Sequence, residues 1–254
     1  MAGPAGAVRA HDGEVEVLNN ANGICVGNIK FGTWKWGKLS FRSGVGGEIA
    51  RDEKSYPQDA ALTAEFADGA IFGRHQCQPL AVTPDHCASA YGLGDRFTQA
   101  QVSVETRLWW KAGWQLHWHH IAACQKSLLR LGTFSLPLPD GAATESLATH
   151  DFARVSNGKL AVAIQPLLGF SSVKARESDP QKRTHILAWH SILLTAETDW
   201  IEGENNLIAL TWCGSSADEG VPWKITRSEP GRVILHHPKH GAWEITSPEF
   251  PPLA

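Results

Sequence analysis

The sequence predicts an all-β protein built as one large antiparallel β-sandwich, and three observations carry that reading. Turn signals from Gly, Pro, Asn and Asp recur roughly every eight to twelve residues. The segments between them are short, often β-branched or aromatic, and lack a convincing helical period. The stretch from Val102 to Ala123, VSVETRLWWKAGWQLHWHHIAA, reads as a β-hairpin around which the rest is organised. At 254 residues the chain is long enough for a single sandwich.

Taken in order, residues 1–12 open with MAGPAGAVRA and are expected to form a flexible tail, leaving 13–254 as one β-sandwich domain. GEVEVLNNANG is a short alternating strand ending in an Asn/Gly turn, and Ile24 to Ile29 makes a second. In FGTWKWGKLSF, Trp34 and Trp36 share one parity and Leu39 and Phe41 the other, with the switch at Gly37. A glycine where parity flips marks a bulge, so Thr33 to Ser43 should be a bent strand. Gly44, Gly46 and Gly47 lack the lysine and the strand-then-helix setting of a phosphate loop, and they read as a connection. Arg51 to Asp59 is a charged loop, Ala60–Phe66 and Ala70–Arg74 look like a hairpin around Asp68-Gly69, and Gln78 to Ala100 should wander at a sheet edge.

The central hairpin alternates Val102, Val104, Thr106 and Leu108 with Ser103, Glu105, Arg107 and Trp109. A three-residue loop at Lys111, Ala112 and Gly113 would set Trp110 opposite Trp114 and Leu108 opposite Leu116. It would also set Arg107 opposite His117 and Glu105 opposite His119, at about 5 Å, on a polar outward face. Trp109 and Trp110 would then lie on opposite faces, so that at most one is core, and the other caps the sheet edge or serves as a sugar platform.

Beyond the hairpin, Ser127 to Leu136 is a strand closed off by Pro137, Pro139 and Asp140-Gly141. Asn157-Gly158 between FARVS and KLAVAI is the strongest short hairpin signal. Phe170 to Lys174 is a strand, Arg176 to Arg183 a solvated loop, and HILAWHSILLTAE a buried strand pair or one long strand. Asn206 to Cys213 and the pair GRVILHH and GAWEITS, flanking Pro238 to His240, complete the sandwich.

Composition excludes several functions. A net charge of −3 with interspersed signs leaves no basic stripe for nucleic acid or an anionic membrane, and no apolar run reaches the length of a membrane span. The five cysteines are odd in number and form no C-x-x-C pair, which argues against a zinc ribbon. With no charged-then-apolar leader at this start, a cytoplasmic setting is favoured. Eleven tryptophans against two tyrosines suit both cores and sugar-stacking surfaces.

The candidate chemistry lies on the polar face. His117 and His119, at i and i+2, could chelate a metal with a third ligand such as Glu105, but the fixed charge of Arg107 opposes a dication there, so no metal and no cofactor is expected. His119 and Glu105 are the candidate acid and base. Arg107, His117 and Trp109 are the candidate substrate contacts, with Arg107 suited to pair bidentately with the carboxylate of an acidic sugar. The remaining histidines have no spacing that singles them out, and there is no G-x-S-x-G elbow, H-E-x-x-H motif or dinucleotide glycine pattern.

Through Val104, Thr106, Trp114, His119 and Ile121, and through Lys35, Lys38, Leu39 and Ser43 of KWGKLSFRSGVGGEI, the chain resembles the domain of unknown function 2264 family. The likeness runs more weakly from about Gly13 to Trp223 and covers only that family's C-terminal part. It implies a mutarotase-like β-sandwich that accompanies an N-terminal (α/α) toroid, in carbohydrate-active enzymes some of which belong with glycoside hydrolase family 154 and act on β-linked uronic acids. His117 and His120 stand where the family has arginines. The expected role is therefore the β-sandwich domain of a glycoside hydrolase-like protein acting on uronic acids, supporting a toroid and inactive alone. The alternative is a free-standing sugar-binding module or a mutarotase- or epimerase-like enzyme.

Overall fold

The computed structural model describes residues 8–11, 15–20, 23–28, 41–43, 62–66, 73–74, 78–82, 86–94, 102–133, 136–137, 145–148, 151–158, 160–178, 191–215, 217 and 221–253. Among them every regular element is a strand, in four antiparallel sheets. The first half contributes β1 (Val8–His11), β2 (Val15–Asn20), β3 (Gly23–Asn28), β4 (Phe41–Ser43), β5 (Leu62–Phe66), β6 (Gly73–Arg74), β7 (Gln78–Val82), β8 (His86–Gly94), β9 (Val102–Lys111) and β10 (Trp114–Cys124). The second contributes β11 (Ser127–Gly132), β12 (Leu136–Pro137), β13 (Glu145–Ala148), β14 (Ala153–Ser156), β15 (Leu160–Leu168), β16 (Ser172–Ser178), β17 (Ser191–Ile201), β18 (Asn205–Ser215), β19 (Lys224–Glu229), β20 (Arg232–His237) and β21 (Gly241–Thr246).

A nine-stranded sheet, ordered β13-β14-β15-β18-β10-β9-β8-β6 with β7 also on β8, forms the middle of the molecule. Buried residues on both of its faces explain its place there. Val102, Val104, Leu108, Trp110 and Ile121 pack with Leu129, Leu131, Ile192, Leu194 and Ala196 of the five-stranded sheet β12-β17-β11-β5, which β16 extends. Trp109, Trp114, Leu116, Trp118, Leu210 and Trp212 pack with Val233, Leu235, Trp243, Ile245 and Phe250 of the C-terminal sheet β19-β20-β21 and the segment after it. The four-stranded sheet β1-β2-β3-β4 lies against β7 and β8.

The hairpin of β9 and β10 forms, but with a shorter turn than expected. Ala112 and Gly113 alone make it, at φ 51° and 78°, the pair of positive angles that a tight two-residue hairpin turn needs. Lys111 therefore pairs with Trp114, and every later pair moves by one: Leu108 faces His117, Arg107 faces Trp118, Thr106 faces His119 and Glu105 faces His120. A slip of one exchanges the faces of one arm relative to the other. His117 and His119 thus share the interior face with Leu108 and are fully buried, not outward as the alternation implied. The left-handed Ala112 carries a cost of about 1–2 kcal/mol that glycine would avoid. Ala112→Gly should accordingly raise the melting temperature, measured by calorimetry.

Other expectations meet the structure in parts. Trp109 and Trp110 are both core, because the sheet that carries them is covered on both sides. Val8–His11, placed in the tail, pairs with β2. β5 and β6 do not pair with each other: β5 joins β11, and β6 joins β8. The segment expected to wander at an edge supplies β7 and the nine-residue β8, which lies between β9 and the strands β6 and β7. β16 continues through Arg176 to Ser178, where a loop was expected, and β19 is an additional strand. The Asn157-Gly158 hairpin forms as β14 and β15, with Gly158 at φ 84°, and GRVILHH and GAWEITS pair as β20 and β21. Most of the bent strand from Thr33, the glycine cluster at Gly44, Gly46 and Gly47, the Arg51–Asp59 loop, the Asp68-Gly69 turn, Pro139 with Asp140-Gly141, and residues 179–190 lie outside the described residues.

Candidate functional site

The polar residues of the central hairpin divide between the two faces of the nine-stranded sheet. On the face toward the five-stranded sheet, the row Thr106–His119–Leu207 crosses β9, β10 and β18, and the neighbouring row is Leu108–His117–Ala209. The Thr106 hydroxyl lies 2.7 Å from His119 Nδ1, and His117 Nε2 lies 2.8 Å from the Thr211 hydroxyl. The two imidazole rings stack at 5.9 Å. Desolvation by burial holds His119 down at about 3 and pushes His117 well below its ordinary value, with His119 adding to the latter shift. Both are therefore neutral at physiological pH and act as hydrogen-bonded core residues.

On the other face the row Glu105–His120–Asn206 crosses the same three strands, followed by Arg107–Trp118–Ile208. His120 Nδ1 lies 3.3 Å from Asn206 Oδ1, which also accepts a 2.8 Å hydrogen bond from Trp118 Nε1. His120 Nε2 is 4.0 Å from the Glu204 carboxylate, and the His120 side chain is 32% exposed. Arg107 donates from Nε to Glu105 at 2.8 Å and from Nη1 to the Ser247 hydroxyl at 3.0 Å, and its Nη2 pairs with both Glu105, at 2.6 Å, and Glu249. Its guanidinium carbon sits 4.9 Å above the Trp118 ring centroid, a cation–π contact. Trp109 lies alongside Trp118 at 6.4 Å and 14° between planes, stacks on His86 at 4.6 Å, and crosses the Phe250 ring at 5.8 Å and 75°.

The structure thus separates the pair Glu105 and His119 by the thickness of the sheet, and it separates Arg107 from His117 in the same way. It brings together Glu105 with His120, and Arg107 with Trp118. Trp109 is 7% exposed and packs against the rings of His86, Trp118 and Phe250, so its indole is not an open platform. Asn206, Glu249 and Phe250 complete the cluster from distant parts of the chain, and the hairpin sequence held no sign of them. Among the described residues no three His, Cys, Asp or Glu side chains are grouped to hold a metal ion.

Arg107 ties the central sheet to the C-terminal segment. Replacing it with alanine leaves the half-buried Glu105 carboxylate without its cation, and should lower unfolding stability by about 1–3 kcal/mol in denaturant titrations. Part of the loss should disappear in high salt, because the Glu249 side chain is 69% exposed and its pairing is screened.

Neither a protein-family model nor a curated protein sequence matches the chain. Solved structures do match in fold. The chain is similar to heparan sulfate lyase HepC from Pedobacter heparinus, with a TM-score of 0.57 and 10% identity over 92% of this chain and 39% of that one. It is similar to a heparinase III, with a TM-score of 0.53 and 8% identity over 92% of this chain and 38% of that one. It is also similar to a putative aldose 1-epimerase from Escherichia coli K12, with a TM-score of 0.51 and 8% identity over 83% of this chain and 100% of that one. At such identities the likeness is one of fold, the antiparallel supersandwich of the mutarotase type. The chain spans about two fifths of the lyases' length, 39% and 38%.

Proposed function

We propose that this chain is the supporting β-sandwich of a carbohydrate-active protein, the part that seats against an (α/α) toroid and lends residues to its cleft. One observation carries the reading: an architecture that accounts for 92% of this chain accounts for only 39% of a heparan sulfate lyase, so the sandwich fits a role beside a larger catalytic body. The internal chemistry agrees with it. The buried histidines are neutral, and Arg107 is engaged by protein carboxylates. The resemblance to the domain of unknown function 2264 family and to glycoside hydrolase family 154 adds the substrate class, glycans containing uronic acids.

On this reading the chain alone turns over no sugar. Incubation with heparan sulfate, with β-linked glucuronate oligosaccharides and with a single aldose anomer should give no unsaturated product, no new reducing ends and no accelerated change in optical rotation.

A second reading, a free-standing epimerase-like enzyme, is favoured by the match to the putative aldose 1-epimerase over 100% of its length. There the Glu105–His120–Asn206 row, in place of Glu105 with His119, would carry proton transfer. Accelerated mutarotation that disappears in His120→Ala would select this reading and remove the first.

A further inference from the structure

Phe250 and Glu249 make an unusual pair of contacts. Phe250 is 1% exposed and meets Trp118 at 5.4 Å and 61°, and Trp109 at 5.8 Å and 75°, so the phenyl ring stands crosswise to two indoles that lie almost parallel. The adjacent Glu249 puts its carboxylate on Arg107, which itself lies over Trp118. A six-membered ring packed against two tryptophans, with a carboxylate from the neighbouring residue on an arginine, matches the size and charge placement of a uronic acid.

We propose that the C-terminal segment Ser247–Leu253 is a built-in stand-in for an acidic sugar: Glu249 and Phe250 fill a uronate site formed by Arg107, Trp109, Trp118 and His120, and a uronic-acid-containing glycan competes for it. The ligand class rests on the carbohydrate reading above. The groups that remain after the segment leaves are suited to such a ligand. Arg107 Nε and Nη2 stay with Glu105 at 2.8 and 2.6 Å, while Nη1 loses Ser247 and Nη2 loses its second partner Glu249, which leaves the outer end of the guanidinium, one N–H on each Nη, for a carboxylate. His120 and Asn206, at the half-exposed rim, offer hydrogen bonds to ring hydroxyls.

The segment is also held in a way that permits exchange. The Glu249 side chain is 69% exposed, so its ion pair with Arg107 is water-screened. The segment's backbone ties are local, from Ser247 N to Gly231 O at 3.0 Å, from Gly231 N to Phe250 O at 2.8 Å, from Phe250 N to Ser247 O at 2.8 Å and from Leu253 N to the Ser228 hydroxyl at 2.5 Å, all within the C-terminal sheet and its tail. Its anchors on the central sheet are side chains, Ser247 and Glu249 on Arg107 and Phe250 on the two indoles.

The test is calorimetric titration of the full chain with a β-linked glucuronate disaccharide and with its carboxyl-reduced neutral analogue, with tryptophan fluorescence as a second readout. A protein that must expel its own segment shows only the open fraction of its affinity, so Glu249→Ala/Phe250→Ala should bind the acidic disaccharide about tenfold or more tighter than the unaltered chain. The neutral analogue should gain less, and adding Arg107→Met should erase the gain. A double variant that melts cooperatively yet binds no tighter overturns the proposal, as does a gain that survives Arg107→Met. If the double variant does not fold, Glu249→Gln, which leaves Phe250 in its core, should still tighten binding by about threefold, and an unchanged affinity there is equally fatal. Turnover of sugar by the chain alone would remove the supporting-domain reading without touching this result, since affinity and turnover are read separately.

Discussion

Acidification from pH 7 to pH 4 should remove about 3 kcal/mol of folding stability through His119 alone. Burial holds this imidazole at about 3 in the folded protein, whereas the unfolded chain titrates near the ordinary histidine value of about 6.5. Between those two values the unfolded chain binds the proton and the folded one does not. Stability is therefore at its full value above about pH 6.5, falls steadily as pH drops, and levels off below about pH 3, for a total near 5 kcal/mol. His117 is lowered for the same reason and adds to the slope in the same direction. Urea midpoints measured from pH 7.5 to pH 4 should shift accordingly. His117→Gln/His119→Gln, which keeps amide groups near the Thr106 and Thr211 hydroxyls but cannot protonate, should flatten the profile. An unchanged slope in that variant would show that the acid sensitivity lies elsewhere.

The second large effect is expected at Gly169, where the chain leaves β15 for β16. Its φ is +78°, and a Cβ built there would fall 2.4 Å from the carbonyl oxygen of Asn206 and 2.7 Å from Leu207 Cδ2. The first of these neighbours is backbone held in the pairing of β18 with β10 and cannot swing aside. Gly169→Ala therefore combines left-handed strain with an overlap that displaces β18, and should cost about 3 kcal/mol or more in denaturant unfolding. Because Asn206 is the residue pushed, the bond from Trp118 Nε1 should weaken as well, visible as a shift of that indole resonance. Gly203, also at positive φ but with nothing within 4 Å of the place a Cβ would take, serves as the control. Gly203→Ala should show the strain component alone, about 1 kcal/mol.

Local chemistry made part of this fold legible. Asn157-Gly158 specified its own hairpin, and the alternation of GRVILHH and GAWEITS was enough to pair β20 with β21. The existence of the central hairpin followed from Gly113, but its register did not. An alanine at positive φ shortened the turn by one residue, and no propensity favours that placement. Alternation could not correct the error either, because both faces of the nine-stranded sheet are buried and an inward residue on one face looks the same as an inward residue on the other. The site was hidden for another reason. Arg107 meets Ser247 and Glu249 across 140 and 142 positions of sequence, and such contacts leave no local trace. The one available sign was Phe250, a large apolar ring set among Pro248, Pro251 and Pro252, which needs a buried surface that its own neighbours cannot provide.

Because β10 and β18 serve as a wall for both interior compartments, their backbone pairs stay closed when the C-terminal segment alone departs, and break only when both compartments are lost. Loosening the C-terminal sheet bares one side of the same strands that the five-stranded sheet covers on the other. The amide protons of Gln115 to His119 and of Leu207 to Trp212 should then exchange with solvent at one common rate, set by loss of the whole structure. A perturbation at either surface would be felt as a change in that single rate.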